Sequence, residues 1–186
     1  MMFMIPDLEK IEHRIEKLES DRDEVMRLSK DLIKAAGKAI SSMHAYGPKK
    51  ADVLIKELKA AKERLCSKEK GFEFYSMQAH QEYVEALVLY SILGKKTIPS
   101  MESLVESEVP YLLGLMDVIG ELKREAIESI RRGKKEDARI YYKIMSDIYD
   151  STLHMRFANS VLPDFRRKQD TGRIQMESVM NEMLHL

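Results

Sequence analysis

Glu82 and Glu85 lie in the stretch FEFYSMQAHQEYVEALVLYSIL at 72–93, which is apolar nearly all round from Tyr83 to Leu93. On a helix the two carboxylates share one face, with Cβ atoms about 5–6 Å apart. Gln78 shares that face one turn earlier. A buried carboxylate costs several kcal/mol unless it is paired, hydrogen-bonded or bound to metal. Two in successive turns also repel each other, and a divalent cation relieves that repulsion best. Salt bridges to Arg or Lys on a neighbouring helix would relieve it as well.

Two other stretches repeat the pattern. In YLLGLMDVIGELKREAI at 111–127, Asp117 and Glu121 stand at i and i+4 among apolar residues, close to Gly114 and Gly120. Glycine costs about 1 kcal/mol in a helix interior, so two of them point to close approach by another helix. An inter-helix salt bridge explains these acids as well as a ligand role does. Further on, Asp147, Asp150 and His154 are spaced three and four apart, and Asp150 follows Ile148-Tyr149 at the edge of an apolar stripe. Three helices bringing carboxylates toward one core would make an oxygen-rich cluster. Such a cluster suits Mg²⁺ or Mn²⁺ rather than Zn²⁺. It can activate water and stabilise charge on a transferring phosphoryl group.

Arg27, Lys30, Lys34 and Lys38 are spaced 3-4-4 and could grip a nucleic-acid backbone. Asp23 and Asp31 dilute that stripe, and a solvated face explains it too. Arg131, Arg132, Lys134 and Lys135 form a second basic run, and Arg166, Arg167 and Lys168 a third. Lys plus Arg and Asp plus Glu are both 31, so bulk positive charge cannot be what holds a nucleic acid; any such site is a local patch. The five histidines are scattered and read as structural or exposed. No Gly-rich phosphate loop and no Ser-His-Asp arrangement stands out. The single cysteine, Cys66, excludes an internal disulfide and a cysteine-based zinc site, and it fits a reducing, cytoplasmic compartment. No apolar run reaches the ~18 residues that span a bilayer, so no membrane role is expected.

The elements that must position these residues are all helical. Leu8, Ile11, Ile15, Leu18, Val25, Leu32, Ala36, Ala39 and Met43 make one seam, which predicts a helix over about 6–46 with a permitted break at Ser20-Asp21. About 40 residues at 1.5 Å each give ~60 Å, longer than a domain of this size needs, so part of it should pack outside the subunit. Helices are then expected from Pro48 to near Gly71, from Phe72 to Leu93, from Pro99-Ser100 to Ser107, from Pro110 to Arg132, from Lys135 to Asn159 and from Leu162 to Leu186, the last weakened at Gly172. With 186 residues, few glycines and prolines and no strand pattern, residues 1–186 read as a single all-α, seven-helix bundle.

HQEYVEALVLYSIL at 80–93, YLLGLMDVIGELKREAIESI at 111–130 and IYDS at 148–151 resemble the translin family, as do DRDEVMRLSKDLIKAAGKAISSMH at 21–44 and IPSMESL at 98–104. The resemblance covers about residues 14–184, in the right order. With both glutamates in QEYVEA, it is closer to translin-associated factor X than to translin. It implies a Mg²⁺-dependent endoribonuclease acting on single-stranded and small RNAs. The metal-binding catalytic acids it implies are Glu82, Glu85 and the Asp of a later Tyr-Asp pair, Asp150. Glu121, in the GEL segment, has a supporting or ligand role. The family's closed hollow barrel implies a homo-oligomer, a hexamer or octamer, with RNA or single-stranded DNA inside and the α-helical Arg27, Lys30, Lys34 and Lys38 on its backbone. The chain lacks the insertion and C-terminal extension of eukaryotic members and resembles a minimal, archaeal-type one.

Three other readings compete. The first is a translin-type barrel that binds RNA or single-stranded DNA without cutting it. The second is an all-α nucleotide pyrophosphohydrolase, which uses E-x-x-E and E-x-x-D pairs; Glu82-x-x-Glu85 and Asp147-x-x-Asp150 mimic that spacing. A ferritin-like di-iron bundle is weaker, since its one Glu-x-x-His candidate is Glu182 with His185 at the C-terminus.

Overall fold

The computed structural model describes residues 7–184. The apolar start at Met1–Ile5, the expected first residue of the long helix, the last two residues of the final one and the Glu182–His185 pairing therefore lie outside the described residues. The described residues form α1 (Leu8–Tyr46), a 3₁₀ turn (Pro48–Ala51), α2 (Asp52–Cys66), α3 (Glu73–Leu93), α4 (Met101–Leu104), α5 (Glu108–Arg131), α6 (Lys135–Thr152) and α7 (Phe165–Leu184), with no strand among them. Among the described residues, no helix is long and apolar enough to cross a membrane.

The all-α expectation holds, and the amphipathic patterns explain the packing. α3 buries residues on every side, including Val84, Ala86, Val88 and Leu89, and packs between α1 and α5. α5 in turn carries α6 and α7 on its other sides. α1 runs without the break permitted at Ser20-Asp21. Its C-terminal half buries Val25, Leu28, Leu32, Ala36, Ala39, Ile40 and Met43. Its N-terminal half leaves the same seam uncovered: Leu8, Ile11, Ile15 and Leu18 are 48–58% exposed. The helix stops at Gly47, whose φ of 81° favours glycine and whose N–H caps the Met43 carbonyl at 2.8 Å.

Some boundaries differ from the sequence expectation, each for a local reason. α2 ends at Cys66 rather than near Gly71, because the Ser67 hydroxyl takes the Arg64 carbonyl at 2.7 Å and the Lys68 and Glu69 N–H groups take that of Leu65. α5 starts two residues before Pro110, which sits in the first turn where a missing N–H costs nothing. α6 ends at Thr152 rather than Asn159. The Thr152 hydroxyl folds back on the Ile148 and Tyr149 carbonyls, and the buried Gln169 amide of α7 donates to the Thr152 carbonyl at 2.8 Å. Gly172 does not weaken α7. Its place is a close approach, where an added Cβ would lie 3.3 Å from Ile119 and 3.5 Å from Met116 of α5.

Candidate metal and nucleic-acid site

The site begins with how closely α3 and α5 approach. A Cβ on Gly114 would lie 2.7 Å from the Gln81 carbonyl oxygen and 2.8 Å from the Val84 side chain. Only glycine lets the two backbones come this near. Beside this contact α3 presents Glu82 and Glu85, and one and two turns on from Gly114 α5 presents Asp117 and Glu121. These four acids form one electrostatic group. Glu85 is 8% exposed. Burial, then Asp117, Glu82 and Glu121 push its carboxyl up to about 8, with only Lys168 opposing. Burial also raises Glu82, with Asp117 and Glu121 adding to it and Lys168 again opposing. No hydrogen bond enters for either glutamate; burial and neighbouring charge alone act on them.

Asp117 is held at both oxygens. The Gln81 amide of α3 donates to Oδ2 at 2.6 Å, and the Lys168 ammonium of α7 pairs with Oδ1. Glu121 is held from α1. His44, whose side chain is 4% exposed, places Nε2 2.5 Å from Glu121 Oε2 and its Nδ1 against Glu125 Oε1. Burial alone would lower this imidazole's pKa. Hydrogen bonds to Glu121 and Glu125 outweigh it and raise His44 to about 9, so at neutral pH it is a cation donating from both nitrogens. Four helices thus build the site, with two acids pinned by cations and two without a hydrogen-bond or ion-pair partner among the described residues.

The His44 clamp makes stability depend on pH. Its folded pKa of about 9 exceeds the unfolded value of about 6.5, so its contribution is complete below pH 6.5 and is lost as pH rises through 9. His44→Ala leaves two partly buried carboxylates without their cation. The expected loss is roughly 3 kcal/mol at pH 6. Urea unfolding of wild type and variant at pH 6 and pH 9.5 checks this, and the gap between them should shrink at the higher pH.

Sequence reasoning placed a further acid at Asp150, and the structure does not bring it to the group. α6 buries Ala138, Met145, Ile148 and Thr152. Asp150 stands two residues beyond Ile148, about 200° around the helix, and is exposed. It accepts a hydrogen bond from Ser146 at 3.0 Å. Asp147 is also exposed and pairs with Lys143, and His154 lies beyond the end of α6. Asp117 supplies the third acid beside Glu82 and Glu85, and Glu121 joins it. Arg27, Lys30, Lys34 and Lys38 are all exposed on α1, with Arg27 3.4 Å from Asp31. Other cations line cavities that adjoin the acids and their partners. Arg167 and Lys168 line a small cavity beside Asp117. Lys123, Arg124, Arg131 and Arg132 line another that reaches His44.

His44 and Gln81 escaped sequence reasoning, and Lys168 stood out only as part of a basic run, not as the partner of Asp117. The i, i+4, i+8 run of Asp117, Glu121 and Glu125 was the available signal, since three acids on one stripe of a half-buried helix require partners on its neighbours.

Comparison with known proteins agrees with this architecture. Residues 20–181 match the translin family. An uncharacterised protein of Methanocaldococcus jannaschii is 30% identical over 189 residues, covering 98% of this chain and 85% of that protein. The solved structure of apo-NeC3PO superposes with a TM-score of 0.88 at 27% identity, over 98% of each chain. AfC3PO, alone and in its complex with duplex RNA, superposes with a TM-score of 0.86 at 25% identity, over 96% of this chain and 95% of that one. On the family match over residues 20–181 and the near full-length likeness of its relatives, the chain belongs to the translin family.

Proposed function

We propose that this protein is a metal-dependent endoribonuclease that acts on RNA within a homo-oligomeric barrel in the cytoplasm. The observation that carries this reading is the group of Glu82, Glu85, Asp117 and Glu121, where, among the described residues, only Lys168 and His44 pair with the four acids and Glu82 and Glu85 have no partner. The residues fit a hard divalent cation: they offer only oxygen, from side chains on two rigid helices. Glu82, Glu85 and Asp117 would hold Mg²⁺ or Mn²⁺, with Glu121 at its edge, and the ion would supply Lewis-acid and water-activating chemistry at a phosphodiester.

The chain's own groups perform the remaining tasks. Gln81 and Lys168 fix Asp117 through one oxygen each, so its carboxylate cannot rotate away. His44 holds the Glu121 carboxylate in orientation. Arg167 on one side and Lys123, Arg124, Arg131 and Arg132 on the other would hold backbone phosphates near the acids without reading bases. The α1 stripe of Arg27, Lys30, Lys34 and Lys38 would extend that contact. AfC3PO in complex with duplex RNA supports RNA as the ligand class. The uncovered Leu8–Leu18 seam supports assembly, because an apolar stripe on half of a ~60 Å helix needs a partner surface. The pyrophosphohydrolase reading loses its second acid pair, since Asp147 and Asp150 face solvent.

The test is cleavage of a labelled single-stranded RNA with Mg²⁺ by wild type, Asp117→Asn and Asp150→Asn. Asp117→Asn should cut about 100-fold more slowly or worse while still binding RNA, and Asp150→Asn should match wild type. RNA binding with no EDTA-sensitive cutting by the wild type would leave a non-catalytic nucleic-acid barrel instead.

A further inference from the structure

His80 precedes Glu82 by two residues, so it points from the opposite side of α3. There it meets the end of α2 and the connection between the two helices. His80 Nε2 lies 2.7 Å from Glu69 Oε2, and one ligand atom each of Cys66, Glu69 and His80 all lie within 4.8 Å of one another. The His80 and Glu69 side chains are 12% and 14% exposed. Nε2 donates its hydrogen to the Glu69 carboxylate, which leaves the lone pair of the neutral ring on Nδ1, buried without a hydrogen-bond partner among the described residues. A cavity of about 300 Å³ opens over the three, bounded by Phe74, Met77 and Pro110.

We propose that Cys66, Glu69 and His80 form a second, chemically distinct metal site that takes Zn²⁺ through sulfur, oxygen and nitrogen, with solvent from the cavity in the fourth position. Three mixed protein ligands and one open position are an arrangement Zn²⁺ accepts. A thiolate among the donors selects a borderline-soft ion over Mg²⁺ or Ca²⁺. Tetrahedral bonds of 2.0–2.3 Å put ligand atoms about 3.5 Å apart, so side-chain adjustments of about 1 Å from the observed spacing suffice. A lone cysteine excludes zinc sites built on thiolates alone, but not this mixed set. Without metal, burial and a hydrogen bond to Glu69 push the Cys66 thiol up to about 11, so it rests as a neutral S–H. Binding would release that proton to solvent. The ion would tie the end of α2 to the start of α3, the helix that carries Glu82 and Glu85.

The test titrates EDTA-stripped protein with Co²⁺ as a spectroscopic stand-in for Zn²⁺. One equivalent should produce a thiolate-to-cobalt charge-transfer band and the intense visible bands of a tetrahedral ion, and Zn²⁺ should displace both. Cys66→Ser should lose the charge-transfer band with its circular dichroism unchanged. His80→Gln, which keeps a polar partner for Glu69, should weaken binding by about 100-fold. Glu82→Gln and Asp117→Asn should keep the band, separating this site from the acids on the other face of α3. No charge-transfer band at one equivalent, or a band that survives in Cys66→Ser, would overturn the proposal.

Discussion

Glu85→Gln should slow Mg²⁺-dependent RNA cleavage by about 100-fold or more and, in the same protein, raise the stability of the metal-free fold at neutral and alkaline pH. Both effects follow from one placement. Glu85 is buried on α3 with three acids around it, and its carboxyl stays protonated up to about pH 8. In the unfolded chain it ionises near 4.5. Between those values the folded state binds more protons than the unfolded one, so stability falls as pH rises from about 4.5 to 8 and levels off beyond. Glutamine imitates the neutral acid at every pH. Wild type and variant should therefore agree near pH 4.5 and diverge by on the order of a few kcal/mol at pH 8. Calorimetric melting in EDTA across that range checks the divergence. Adding Mg²⁺ should close the gap from the wild-type side, increasingly as pH rises, because the ion competes with the proton. A variant less stable than wild type at all pH values would show that Glu85 anchors the fold and is not a strained ligand.

The parts of this design that the sequence displayed are those set by local periodicity. The all-α bundle, the burial of α3 and the odd standing of Glu82 and Glu85 follow from apolar residues on all sides of QEYVEALVLYSIL. Gly114 advertised a close approach for the same reason: a costly residue in a helix interior needs a tertiary justification. Asp150 went astray because following Ile148 and Tyr149 says little about facing the core. A helix turns 100° per residue, and i+2 is the far side. His44 was illegible, standing 77 and 81 residues from the carboxylates it clamps, on a face fixed only when α1 packs against the bundle. Glu69 and His80 were equally invisible as partners of Cys66, because α2 ends earlier than its pattern suggests.

Gly114→Ala should damage stability and cleavage together, whereas the same change at Gly37 or Gly120 should not. At Gly114 the new methyl would meet the Gln81 carbonyl oxygen at 2.7 Å and Val84 Cβ and Cγ1 at 2.8 Å. Neither can swing aside: one is backbone and the other a fully buried β-branched side chain. α3 and α5 must separate, at an overpacking cost of about 1–3 kcal/mol that outweighs alanine's helix preference of about 1 kcal/mol. The displaced residue is Gln81, whose amide holds Asp117, so the acids lose their register as well. A shift of about 1 Å in a reacting constellation can cost 100-fold in rate, which makes activity the more sensitive readout. At Gly120 the methyl meets the flexible Gln175 amide at 3.1 Å, and at Gly37 it meets nothing within 4 Å. Those two variants should be neutral or more stable by up to about 1 kcal/mol. Urea midpoints for the three alanine variants, with cleavage rates alongside, decide the matter. A Gly114→Ala protein as stable and active as Gly37→Ala would mean that the α3–α5 approach does not set the geometry of the acids.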